Sequence, residues 1–339
     1  MAKHVPYLDG WRGLAILCLL LGHFFPVPGI NFGTVGVALF FVLSGLLMAE
    51  VLFVRRTGLA TFYRRRFARV FPSVAVYISV VTTIFILSER ALAPVELLSA
   101  VTFTNNYFLT DGRWTMPLGH IWSLSVEEHS YVILSIAALW CRSRGGNSFA
   151  AVGAILVATL VAVAIYSFVP AASTPSFQLR TEVASFGIFA SSLLLLLAVF
   201  KHVRFTRYWL APVALITGVV CHWWRVPAAA QIVLGWGALA LSINAMPTAS
   251  ITVRRFFEMQ WLRKLGLYSF SIYLWQQPYY QLHHHFGMSS WSALSLALIT
   301  GFVAYHTIEN PARQYLNRHW GTKPLAVVAE ENGEREVQS

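Results

Sequence analysis

Long apolar segments recur along the whole chain, and they set the strongest limit on its fold. Each runs for roughly 18 to 22 residues, the length that an α-helix needs to cross about 30 Å of hydrocarbon. A membrane β-barrel would instead alternate apolar and polar residues along short strands. The 339 residues are 57% hydrophobic and 12% charged, with a mean hydropathy of +0.60, which excludes a water-soluble domain of this length. We predict an all-α bundle of about ten membrane spans, near 13–28, 33–53, 70–88, 120–140, 149–169, 183–200, 208–223, 228–246, 266–284 and 290–308.

The two ends of the chain are interpreted separately. The first apolar segment resembles a signal peptide, but Arg12 and His23 interrupt it and no small-residue cleavage pattern follows. We therefore predict that it is a retained first span. Residues 1–321 are expected to form one transmembrane domain. Residues 322–339 are polar, acidic and free of aromatic side chains, which predicts a short disordered cytoplasmic tail.

The basic residues are distributed unevenly between the two sides of the predicted bundle. The formal net charge is +11, and all but four of the 25 Lys and Arg residues fall on the side that carries both termini. The other four are Arg90, Arg113, Arg180 and Arg225. By the positive-inside rule, this distribution predicts that both termini are cytoplasmic. It also accounts for the charge without a nucleic-acid partner.

Neither a disulfide nor a metal site is expected. Cys18, Cys141 and Cys221 lie within or at the ends of separate predicted spans, with no spacing typical of a disulfide framework or a zinc site. Consecutive histidines at 283–285 cannot all face one metal ion. The sequence therefore predicts no metal.

The first span carries two ionisable residues on one helix face. Arg12 and His23 are eleven residues apart, which at 100° per residue places them on the same side and about 16 Å apart along the axis. An imidazole can take a proton from an alcohol and return it, the task of a general base in acyl transfer. A core histidine hydrogen-bonded to a neighbouring helix remains the alternative.

A polar stripe opens the fourth span. His120, Ser123 and Glu127 are spaced by three and four residues, so they share a helix face, whereas Glu128 lies 100° round. Carboxylates entering lipid are costly unless they are paired or line a cavity. We expect Glu127 to approach His23, hold its tautomer and stabilise the imidazolium. A structural hydrogen bond or ion pair between helices is the alternative.

An arginine-rich segment precedes the third span. Arg66 and Arg69, three residues apart, point the same way and are predicted to clamp the phosphates of a donor such as coenzyme A, joined by Arg12. Positive-inside topology alone would explain most of this segment.

Two further polar groups are candidates for binding an acceptor. In the ninth span, Ser269, Tyr273, Gln276 and Tyr280 form a stripe of hydroxyl and amide groups that suits sugar hydroxyls and equally suits helix packing. In the outer loop, Asn106 belongs to a polar and aromatic cluster where a sugar could be held. An ordinary interfacial loop is the alternative there.

Several stretches, taken together and in order, resemble the bacterial membrane acyltransferase family 3, the O-antigen and exopolysaccharide O-acetylase type. No single stretch is decisive, but the set runs through nearly the whole chain. The family's arginine, ten residues and histidine match Arg12 and His23. The matching stretches are 7–13, 36–45, 66–69, 119–128, 268–275 and 309–313.

The resemblance implies transfer of an acyl group, usually acetyl from acetyl-CoA, to a hydroxyl of a carbohydrate, glycolipid or glycosylated natural product. It implies that His23 is essential, that Arg12, Arg66 and Arg69 serve the donor, and that Asp9 belongs to the first motif. We expect a stand-alone enzyme of the bacterial inner membrane, without the esterase-like domain of some members and without a tightly bound cofactor.

The chain departs from the family's pattern at three places. Ala38 stands where Asp is frequent, Gln276 where His is common, and His129 with Ser130 where Gln-Phe is usual. An amide binds but does not titrate, so the change at Gln276 puts a catalytic role for the ninth span in doubt.

Two other functions stay open. In a proton-coupled transporter or flippase of a polar lipid or sugar, the same histidine and glutamate would relay protons. A catalytically inactive binding or scaffold protein is the third possibility, and the presence of Arg12, His23 and Glu127 argues against it. Acyl transfer itself could proceed directly or through an acyl-histidine intermediate.

Overall fold

A computed structural model describes residues 5–88, 93–110, 118–169, 176–203 and 205–321. Within these ranges the chain is all-helical, and no strand is present. The predicted tail at 322–339 and the arginines at 90 and 113 lie outside the described residues. The helices are α1 (Pro6–Phe24), α2 (Phe32–Ala49), α3 (Leu59–Leu87), α4 (Pro94–Val101), α5 (Asn105–Leu109), α6 (Trp122–Arg144), α7 (Ser148–Phe168), α8 (Thr181–Ala184), α9 (Phe186–Phe200), α10 (Leu210–Val220), α11 (Ala228–Ala230), α12 (Gly237–Ala245), α13 (Ile251–Phe257), α14 (Gln260–Phe286), α15 (Ser290–Ala304) and α16 (Asn310–His319).

Six of the helical segments in the described ranges are long and apolar enough to cross a membrane, so the chain is an integral membrane protein. Some of these segments join neighbouring helices through π-helical turns, for example Glu50–Val54 after α2 and Tyr305–Glu309 after α15. The six are Phe32–Val54, Leu59–Leu87, Ser148–Phe168, Thr181–Phe200, Ala228–Thr248 and Ser290–His319.

Each of the ten predicted spans contains a helix, but four of these helices do not qualify as spans by length and composition. Helix α10 is only 11 residues long. Helices α1, α6 and α14 are long, yet they carry the polar residues on which the functional hypothesis rests. The count of ten spans and the cytoplasmic position of both termini therefore stay predictions.

Helix α1 begins earlier than the sequence analysis placed the first span. It starts at Pro6, in the first helical turn, where proline's fixed backbone angle and missing N–H are favourable. Asp9 follows in the same turn, where a negative charge suits the helix dipole. As a result, both Asp9 and Arg12 lie on a regular helix that also carries His23.

Glycines allow α1 to touch its neighbours backbone to backbone. A Cβ atom added at Gly266 of α14 would lie 1.9 Å from the Asp9 carbonyl oxygen, and one at Gly13 would lie 2.0 Å from that of Leu262. On the other side of α1, a Cβ at Gly22 would lie 2.1 Å from the backbone nitrogen of Gly33 in α2. Small residues of this kind let membrane helices pack closely, and they fix α1 between α14 and α2.

We expect Gly266→Ala to destabilise the protein, because the new methyl group has no room against the backbone of α1. Overpacking of this kind costs about 1–3 kcal/mol. The matched control is Gly153→Ala in α7, where an added Cβ meets nothing within 4 Å. Thermal unfolding in detergent should show a lower melting temperature for Gly266→Ala alone. Equal melting temperatures for the two variants would contradict the close α1–α14 contact.

Candidate active site

Polar residues from five helices surround two adjoining cavities. The smaller, here called the arginine cavity, has a volume of about 100 Å³ and is lined by Arg12, Arg66, Arg69 and Glu127 among others. The larger, here called the His23 chamber, measures about 890 Å³. Nearly all of the residues singled out in the sequence line one of these cavities or bond to a residue that does.

His23 lies in the wall of the large chamber and is held by α14. Its Nδ1 is 2.8 Å from Oε1 of Gln276, and its ring stacks on Tyr280 with 4.4 Å between centroids. The amide nitrogen of Gln276 donates to Oε1 of Gln277 at 3.3 Å, so the amide oxygen of Gln276 faces the imidazole. An oxygen there accepts a hydrogen bond from Nδ1–H. The neutral ring is thereby held in the tautomer whose Nε2 carries a lone pair.

Glu127 does not orient His23, and this expectation was wrong. Gln276 bonds to Nδ1 instead, because the glycine contacts between α1 and α14 bring its amide within reach. The carboxylate of Glu127 is occupied elsewhere. Its Oε1 accepts from the Ser44 hydroxyl at 2.9 Å, and its Oε2 accepts from the Tyr131 hydroxyl at 3.0 Å.

Arg66 joins both carboxylates of α6. Its guanidinium donates to Glu128 Oε1 at 2.8 Å and to Glu127 Oε2 at 3.4 Å, and it stacks on the Tyr131 ring at 3.5 Å from the centroid. The three charged side chains are mostly buried, with 12–16% exposure. Two carboxylates thus neutralise Arg66 and tie α3 to α6, which leaves it little capacity to clamp a phosphate.

The other two arginines of the cavity are freer. Arg12 forms one ion pair, with Asp9 at 3.2 Å, through a single nitrogen. Arg69 lines the same cavity and makes no hydrogen bond or ion pair with the residues that the structure describes. Of the three, Arg69 is therefore the best placed to bind an anion entering the cavity.

Tyr273 forms part of the wall between the two cavities. With Val37, it is one of the two residues that line both. Its hydroxyl donates to the backbone carbonyl of His120 and lies 2.7 Å from the Ser123 hydroxyl, which donates in turn because a phenol has one proton. The predicted stripe of α6 therefore divides. His120 faces the chamber, whereas Glu127 faces the arginine cavity, and Ser123 lines the latter beside this wall.

Asn106 lies apart from both cavities, contrary to the expectation that it binds an acceptor. Its amide nitrogen donates to the Thr181 hydroxyl at 3.0 Å and to the Leu179 carbonyl at 3.3 Å, and the side chain is fully buried. Buried amides need such partners. The residue therefore fastens the short helix α5, which lies between α3 and α6 in the chain, to the start of α8.

Sequence reasoning missed two residues of the arginine cavity region. Ser44 is a lone hydroxyl in the otherwise apolar middle of α2, which was an available signal for a polar contact. Glu309 is a buried carboxylate in the π-helical turn after α15, and its Oε2 accepts from Ser271 at 2.6 Å. Its charge also interacts with Arg69 and Arg12. A carboxylate at the end of an apolar run was the signal there.

Comparisons with known proteins show similarity to acyltransferases. A family model described as an acyltransferase domain, of acyltransferase family 3, matches residues 5–306. A candidate O-acetyltransferase of Staphylococcus aureus (strain COL) is 30% identical over 184 residues, 49% of this chain and 30% of that protein.

The O-acetyltransferase OatA of Staphylococcus aureus (strain COL) is 27% identical over 157 residues, which are 42% of this chain and 26% of OatA. The chain thus spans less than a third of the length of these curated relatives. No solved structure shows a significant match. Because the family model covers nearly all of the helical bundle, the chain belongs to the membrane-bound acyltransferase family 3.

Proposed function

We propose that this protein transfers an acyl group, most simply acetyl, from acyl-CoA to a hydroxyl of a carbohydrate or glycolipid. The observation that carries the proposal is the placement of His23. His23 lines a chamber large enough for an acceptor, its Nδ1 is bonded to Gln276, and the chamber adjoins a cavity lined by arginines. Family membership and the similarity to O-acetyltransferases support O-acyl transfer as the chemistry.

His23 is the proposed general base. Its Nε2 takes the proton of the acceptor hydroxyl as the hydroxyl oxygen attacks the thioester carbonyl. The C–S bond then breaks, and the imidazolium returns the proton to the departing thiolate of CoA, so that an ester and a free thiol result. Gln276 stabilises the transient imidazolium by accepting from Nδ1–H. An alternative mechanism, in which Nε2 itself first takes the acyl group, would use the same geometry.

The donor is proposed to bind through Arg69 and Arg12. Both guanidinium groups keep unshared N–H donors, and a polyphosphate is their natural partner. The arginine cavity is far smaller than the roughly 300–1,000 Å³ of ordinary ligand pockets, so the phosphates would bind these arginines at its edge and only the narrow thioester arm of the donor would pass into it. Arg66, saturated by Glu127 and Glu128, would instead hold the cavity's shape.

The proposed location is the bacterial inner membrane, with both termini in the cytoplasm. The uneven distribution of Lys and Arg supports that orientation. Under it, the donor arrives from the cytosol, where acyl-CoA is made.

The first prediction concerns the base. We expect His23→Gln to reduce acetyl transfer by about 10²–10⁴-fold, the usual contribution of general acid–base catalysis. The matched control is His319→Gln at the exposed end of α16, which should retain wild-type rates. Transfer of labelled acetyl from acetyl-CoA to cell glycans is measured in membranes. Near wild-type transfer by His23→Gln, in correctly inserted protein, would rule out the mechanism.

The second prediction concerns the donor. Arg69→Ala should raise the KM for acetyl-CoA by about 10–100-fold, since a hydrogen bond to a charged group contributes about 1.5–3 kcal/mol. Arg64→Ala removes an exposed arginine from the same helix and serves as the control. Steady-state kinetics at varied acetyl-CoA distinguish the two. An unchanged KM in Arg69→Ala, or no response of the wild type to acetyl-CoA as expected of a transporter, would contradict the donor assignment.

The third prediction concerns the orientation of the base. Gln276→Leu removes the acceptor for Nδ1–H, so kcat should fall by about 10–100-fold while the KM for acetyl-CoA stays close to wild type. Gln276→His, which restores the family's common residue, should recover activity. Gln314→Leu on exposed α16 is the control. Wild-type kcat in Gln276→Leu would mean that the hydrogen bond is only structural.

A further inference from the structure

We infer that the His23 chamber takes an uncharged sugar unit and rejects an acidic one. The inference rests on the proposed acyl transfer and adds the class of acceptor. Among the described residues that line the chamber, none is Asp, Glu, Lys or Arg. The ionised side chains gather in the adjoining arginine cavity, around Arg66 and Glu127. The two cavities thus differ sharply in charge, although they share a wall.

Five amide side chains line the chamber. An amide offers both a donor and an acceptor, which matches a sugar hydroxyl in either role. One of these amides has an oxygen that lacks a hydrogen-bond donor in the part of the chain that the structure describes. The Oε1 atom of Gln281 is buried and has no hydrogen-bond partner among the described residues. A buried acceptor without a donor is unfavourable, and a bound sugar hydroxyl is the proposed donor once the Gln281 amide turns toward the chamber that it lines. The amide residues are Asn31, Gln178, Gln231, Gln277 and Gln281.

Aromatic rings complete the lining. Trp122, Trp236, Tyr273 and Tyr280 contribute ring surface to the chamber, and Tyr280 also stacks on His23. Rings combined with a few convergent polar groups are typical of sites for small organic ligands, whose volumes run from about 300 to 1,000 Å³. At about 890 Å³ the chamber has room for a sugar and its attached neighbour.

A carboxylate would be poorly accommodated there. Leaving water for amides and aromatic rings, with no cation to compensate, is costly for an ionised group. The titratable side chains on the lining are histidines and tyrosines, and no lysine or arginine accompanies them among the described residues.

The test compares an acidic sugar with its uncharged methyl ester as competitors for the same site. Purified protein in lipid nanodiscs transfers labelled acetyl from acetyl-CoA to 4-nitrophenyl β-D-glucopyranoside at pH 8. The competitors are 4-nitrophenyl β-D-glucuronide and its methyl ester, which share three ring hydroxyls with each other and with the glucoside. We expect the neutral ester to compete about 100-fold better than the acid.

A variant that adds a positive charge to the chamber extends the comparison. Gln281→Arg places a cation in the chamber and should improve competition by the acid at least tenfold relative to the ester. Gln314→Arg adds the same charge on exposed α16 and should leave the ratio unchanged. If Gln281→Arg does not accumulate as folded protein, the ester-to-acid ratio of the wild type decides.

Competition by the acid within about threefold of the ester would overturn the inference. So would failure of both the glucoside and the ester to act at the site. In either case, gene-dependent acetylation of cell glycans by the same chain would leave the proposed function standing. If the chain also fails to support acetylation of cell glycans, the proposed function itself is contradicted.

Discussion

The backbone contact between α1 and α14 is the constraint on which the rest of the site depends. At Gly266 and Gly13 the two helices approach so closely that no side chain fits between them. That proximity sets the height and rotation of α14 relative to α1, and it delivers the amide of Gln276 to Nδ1 of His23. In a lipid environment, where burying apolar surface gives helices little reason to associate, such close packing supplies much of the specificity.

The arginine cavity depends on a second interaction, in which two carboxylates share one guanidinium group. Arg66 lies between Glu127 and Glu128 and against the ring of Tyr131. Removing Arg66 would leave two buried carboxylates without this cation, which is far more costly than the ion pairs are stabilising. The arrangement keeps Arg66 ionised and fixed, while Arg69 remains available to an incoming anion.

Sequence reasoning located the helices and several candidate residues that line the two cavities, because apolar length and the rarity of buried charge are properties of single segments. His23, Arg69 and the polar stripe of α6 were found in this way. Partnerships between helices were harder to predict. The spacing of Glu127 defines its face on α6 but does not say whether that face meets α1 or α2. In the structure, Glu127 accepts a hydrogen bond from Ser44 of α2, and His23 bonds to Gln276 instead.

Local signals also went unused. Pro6 and Asp9 are both favourable in a first helical turn, and they mark the true start of α1. Asn106 illustrates the opposite difficulty, since a polar residue in an outer loop looks the same in sequence whether it binds a ligand or, as here, fastens the loop to Thr181.

The wall at Tyr273 has a consequence for the membrane itself. If the two polar cavities were connected end to end, they would form a continuous water-filled path. Protons would leak through such a path. Tyr273 fills the gap with an aromatic ring, and its hydroxyl is held by Ser123 and the His120 backbone. The same ring lies between the proposed donor and His23, so acyl transfer would require Tyr273 to move while both substrates occupy the cavities.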